Sequence, residues 1–97
     1  MSIEITVLFD VVPDRLADTA EAFGDLCAAT RREQGALRFD AWRSEEHRNV
    51  IVLVEEWADQ AAIDLHMKER YVADFLARTD GAFARPPYVH RLRPLAA

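Results

Sequence analysis

The sequence predicts an α+β domain with two helical regions on one face of a four-stranded antiparallel sheet. Three observations predict it. Ile3, Ile5, Val7, Phe9 and Val11 alternate with Glu4, Thr6, Leu8 and Asp10, the period of a half-buried strand. The stretches after Pro13 and after Asp59 instead repeat apolar residues every three or four positions, the period of a helix. The segments follow the order strand, helix, strand, strand, helix, strand, so each helix carries a crossover and both cover the same face.

Each element can be justified in turn. The first strand runs Ile3 to Val12 and is stopped by Pro13-Asp14, with Asp14 as cap or first-turn residue of the next helix. That helix extends to about Glu33, with Leu16, Ala20, Phe23, Cys27 and Thr30 as its inward stripe. Cys27 lies within the stripe and reads as a small core residue rather than a nucleophile. Gln34-Gly35 ends the helix, Gly35 suiting a left-handed cap. Leu37 to Ser44 is a second strand, Glu45 to Asn49 a polar hairpin loop, and Val50 to Trp57 a third strand. Asp59 caps a helix in which Ala62, Leu65 and His66 share a face. A further helical stretch, Tyr71 to Thr79, turns Val72, Phe75 and Leu76 inward. Pro86-Pro87 forces an extended entry into a last strand, Tyr88 to Leu92. This βαββαβ order is the ferredoxin-like arrangement, and residues 1–97 read as one domain.

Composition narrows the function classes. A hydrophobic share of 51 % beside 30 % charged residues suits a small domain that also buries a face against a partner. A net charge of −5 argues against nucleic acid as the main ligand. One cysteine excludes a disulfide scaffold and a CxxC metal site. His47, His66 and His90 are scattered, which predicts no metal site. No apolar run approaches the ~20 residues of a membrane span, and no signal peptide precedes the first strand, so the cytoplasm is the default location.

Helices on one side leave the other side of the sheet bare. Alternation assigns Leu8, Trp42, Ile51, Leu53 and Trp57 to that face, with Thr6, Asp10, Arg38, Asp40 and Glu55, and turns Val50, Val52 and Val54 toward the helices. Two tryptophans exposed together exceed the patch a soluble monomer tolerates. The face is therefore expected to pack on a second copy, as a homodimer at micromolar concentration, and to enclose a small-molecule cavity. A plain dimer interface is the alternative. The segment Leu53-Val-Glu55-Glu-Trp57, with His66 nine residues beyond Trp57, brings a carboxylate, an indole and an imidazole to one strand–helix junction.

The chain resembles a known family in the long helix opened by Pro13, in Ala29 to Phe39, in Leu53 to Trp57, in Ala61-Ala62, in His66 and in the final Val89, Leu92 and Pro94. These look like the antibiotic biosynthesis monooxygenase domain, over almost the whole chain. The resemblance implies a dimeric α+β barrel of two ferredoxin-like sheets. It also implies membership among cofactor-free monooxygenases that oxidise phenols or quinols to quinones, haem-degrading enzymes, or isomerases. Three positions depart from the family's patterns. Leu53 stands where the polyketide-oxidising branch has an asparagine. The sole asparagine, Asn49, lies in the hairpin loop rather than on the first strand, against haem degradation. Tyr71 replaces a second histidine or other polar residue five positions after His66.

On this footing His66 is the expected base, with an ordinary pKa of about 6.5 suited to accepting a phenolic proton. Glu55 orients it, acts as base itself, or forms a salt bridge with Arg38. Trp57 and Tyr71 shape the pocket, with Trp42 and Leu53 in its walls and Arg38 holding a substrate anion. For each of these residues, packing or local ion pairing is the competing reading. The expected function is oxidation of a small phenol or hydroquinone by O2 with no cofactor. The alternatives are an isomerase or other proton-transfer enzyme on the same barrel and a non-catalytic small-molecule-binding dimer.

Overall fold

The computed structural model describes residues 1–96. Its elements are β1 (Ile3–Asp10), a 3-10 turn (Pro13–Arg15), α1 (Leu16–Thr30), β2 (Ala36–Arg43), β3 (Val50–Trp57), α2 (Gln60–Met67), α3 (Arg70–Arg78) and β4 (Tyr88–Leu92). The four strands form one sheet in the order β2-β3-β1-β4, every neighbouring pair antiparallel. This is the ferredoxin-like topology read from the sequence, and β3 and β4 have the residue bounds expected. Among the described residues no helix is long and apolar enough to cross a membrane.

The strand periods fix what each face carries. Residues paired across antiparallel strands share a face. Val7 pairs with Leu53, Phe9 with Ile51, Ile5 with Glu55 and Ile3 with Trp57. The helix-covered face therefore holds Ile51, Leu53, Glu55 and Trp57, not Val50, Val52 and Val54, which reverses the expected parity of β3. Both sets are apolar, so alternation within β3 alone could not choose between them. The core lies between this face and the helices. Phe23 of α1 meets Phe9 and Phe75 edge-on, each at a centroid distance of 4.9 Å, and Val7, Leu26, Ile51, Leu53 and Val72 fill the space around them.

Several local expectations change. Residues 13–15 wind as a 3-10 turn before α1, and Asp14 makes no capping hydrogen bond. Arg15 instead reaches across to the end of α3, donating to the carbonyl oxygens of Arg78 at 2.8 Å and Asp80 at 3.0 Å. A guanidinium there satisfies helix-end carbonyls and complements the negative end of the helix. Gly35 does not adopt a left-handed conformation; among the described residues positive φ occurs at Gly81. Leu65 and Leu76 are exposed rather than inward. Asp59 does cap α2, its carboxylate accepting from the Ala62 amide at 2.9 Å.

Candidate functional site

The end of β3 positions two of the candidate groups. Glu55 and Trp57 sit two residues apart on one face, so the Trp57 indole donates to Glu55 Oε1 at 2.8 Å. Beyond the strand, the Asp59 cap sets the start of α2, whose second turn carries His66 back over Trp57 at a ring distance of 4.7 Å. Phe39 of β2 lies beside both rings, 5.6 Å from the imidazole and 6.0 Å from the indole. Trp57 is 0 % exposed, and Phe39 and His66 are also buried.

The group that holds His66 is one the sequence reading missed. Glu33, in the turn between α1 and β2, takes a hydrogen bond from His66 Nδ1 at 2.8 Å. Tyr71, at the start of α3, donates its hydroxyl to the same Glu33 oxygen. Three separate elements thus meet at one carboxylate. With Nδ1–H held by Glu33, Nε2 carries the lone pair available to a proton. The partner of His66 lies 33 residues away in sequence, beyond any local spacing rule. The one usable signal was an acid just before a glycine in the stretch Ala29 to Phe39.

Glu55 plays a different part from the one expected. Burial raises its pKa above the ordinary carboxylate value, opposed by the Trp57 hydrogen bond and the nearby His66. Arg38 does not pair with it. Arg38 is in register with Glu56, on the opposite face, and its guanidinium bonds Asp40 at 2.9 Å. Asp40, held by Arg38 and Arg31, has its carboxyl below the usual range.

The predicted site residues therefore divide in two. His66, Glu55, Trp57, Leu53 and Tyr71 lie on the helix-covered side, where Leu53 is a buried core residue. Arg38 and Trp42 lie on the bare face and do not reach the cluster. The cluster sits inside one copy of the chain, between sheet and helices, and not in a space between two sheets. Its outlet is Glu33, whose side chain is 15 % exposed. Glu33 borders a groove of about 560 Å³ shared with Gly35, Asp59, Ala62, Leu65 and Glu69, and a second of about 350 Å³ shared with Arg32 and Tyr71.

Comparison with known proteins agrees with this fold. The antibiotic biosynthesis monooxygenase family matches residues 2–78. YcnE of Bacillus subtilis, named a putative monooxygenase, is 24 % identical over 76 residues, covering 78 % of this chain and 80 % of its own length. The uncharacterised protein sll1783 of Synechocystis is also 24 % identical over 76 residues, but the match spans only 52 % of its length. Among solved structures, Rv0793 from Mycobacterium tuberculosis superposes with a TM-score of 0.90 at 23 % identity, over 100 % of this chain and 98 % of that one. A protein from Nitrosomonas europaea, titled a putative antibiotic biosynthesis monooxygenase, gives 0.91 at 20 % identity, over 98 % and 91 %. At these identities the two structures speak for the fold.

Proposed function

This chain belongs to the antibiotic biosynthesis monooxygenase family, and from that premise we propose that it oxidises a small phenol or hydroquinone to a quinone with O2 and no cofactor. The observation that carries the reading is the Glu33–His66–Tyr71 array, partly buried beside Trp57. A phenol gives its proton to His66 Nε2 while Glu33 holds Nδ1–H and supports the imidazolium. The phenolate then passes one electron to O2. Recombination forms a ring C–O bond and leaves a peroxide anion on that carbon. Loss of the hydrogen on that carbon, with cleavage of the O–O bond, releases water and leaves the quinone. His66 returns its proton to the departing oxygen, so phenol and O2 become quinone and water. Trp57 and Tyr71 bound the ring, and the low-dielectric surroundings exclude bulk water from the radical pair. Substrate enters from the Glu33 side, which requires the α2–α3 connection to open.

The complete burial of Trp57 favours one competing reading, in which the array only clamps the α1–β2 turn, α2 and α3 together. Oxygen uptake with a panel of phenols and hydroquinones separates the two. Turnover is expected with at least one member, and His66→Ala should lower it by about 10²-fold or more, the usual weight of a general base. No uptake, or uptake unchanged in His66→Ala, overturns the proposal. Substrate conversion without O2 consumption indicates proton transfer alone.

A further inference from the structure

Between the middle of α1 and the second half of β2 runs a groove of about 470 Å³ that the reaction above does not use. It is floored by Phe23, Cys27 and Ile51, all buried, and by Ala41. Ile51 and Trp57 lie six residues apart on β3, so the groove is roughly 20 Å from the His66 cluster. Its volume falls within the range of small-molecule sites.

Three features define an occupant. The first is charge. The charged side chains of the groove are Arg31 and Arg43. Asp40 is shared between Arg31 at 2.8 Å and Arg38 at 2.9 Å, so one carboxylate answers two guanidiniums. Among the described residues Arg43 has no ion pair. The groove is thus positive in a chain whose net charge is −5. The second is Gly24, in the middle of α1 and on the groove wall. Glycine is unfavourable inside a helix because it loses more backbone freedom than alanine. A Cβ at Gly24 would meet nothing within 4 Å. Packing within the chain therefore gives no reason for a glycine, whereas a flat molecule lying on the helix does. The third is the floor itself. Burial raises the Cys27 thiol, so the floor stays uncharged.

We infer that this groove binds a small planar acid, an aromatic carboxylate, with its ring on Gly24, Cys27 and Ile51 and its carboxylate on Arg43 and Arg31. Guanidinium forks match a carboxylate in two parallel hydrogen bonds. A neutral hydrocarbon would leave Arg43 unused. A nucleic acid is disfavoured by the acidic chain.

The probe is 2-naphthoate, titrated into the whole chain and followed by amide and indole NMR shifts. Saturable shifts are expected at Gly24, Ala41, Arg43 and Trp42. Arg43→Gln should weaken binding about tenfold, and neutral 2-naphthamide should bind about tenfold more weakly than the acid. Gly24→Leu should abolish binding with the circular dichroism unchanged; should it unfold, Gly24→Ala serves, with an unchanged or raised Tm and weaker binding. The inference is overturned by the absence of saturable shifts at millimolar probe, by equal affinity for the amide, or by shifts centred on Trp57, His66 and Tyr71. It stands or falls apart from the oxygenase reading, because none of its outcomes depends on turnover.

Discussion

Two carboxylates stand near His66, in different surroundings. Glu33 is partly open to water and holds the imidazole in one tautomer. Glu55 is buried against Trp57, and burial raises its pKa. A raised acid favours the protonated form in the folded state. Its contribution to stability is therefore full below the ordinary carboxylate value of about 4.3 and is lost as pH rises through the raised value. Glutamine keeps an acceptor for the Trp57 indole and removes the charge. Glu55→Gln is thus expected to be more stable than the native chain at pH 8, with the difference shrinking toward pH 4, as read from urea midpoints at the two pH values. A Glu55→Gln midpoint below the native one at pH 8 would contradict this account. Sequence alternation put Glu55 and Trp57 on one face correctly. It could not supply Glu33, because that contact exists only once the α1–β2 turn is folded beneath α2.

At the scale of elements, Gly35 shows how close two elements come. A Cβ built there would overlap the Cβ of Ala62, so the entry to β2 and the first turns of α2 approach nearer than two side chains allow. The Ala58 amide donates to the Gly35 carbonyl at 2.9 Å, tying the end of β3 to the same point. The residue is glycine for this approach and not for a left-handed turn. Gly35→Ala must push α2 outward and should cost about 1–3 kcal/mol, the range for overpacking a tight site. Thermal or urea unfolding checks this, and Ala62→Gly in the same chain should restore part of the loss. Because α2 carries His66, the first substitution should also lower any turnover. A similar limit applies to β3. Its strand character was plain in the sequence, but both of its faces are apolar, and only pairing with β1 settled which one meets the helices.

The whole molecule is a slab, 40 × 33 × 19 Å. It exposes 6774 Å², against about 5,700 Å² for a compact monomer of this mass. The bare face of the sheet contributes several exposed large apolar side chains. One row crosses all four strands there: Trp42, Val52, Leu8 and Tyr88. Trp42 is 57 %, Tyr88 64 % and Leu8 38 % exposed. Large apolar patches on this scale are characteristic of association surfaces. Sedimentation velocity at micromolar concentration should give a homodimer. Leu8→Asp, a charge in the centre of the row, should give a folded monomer with the native circular dichroism. A native chain that sediments as a monomer would remove the dimer from the account.

The sequence by itself determined the element order, the ferredoxin-like topology, the strand–helix junction at Trp57 and the bareness of one sheet face. Local periodicity and capping carry that information, since they act over a few residues. The tertiary structure decided which face of β3 is covered, which acid holds His66, and that the cluster lies within one chain. These follow from strand register and from contacts between distant segments. A sequence expresses them only through packing, when one arrangement of alternatives that are locally equal fills the core.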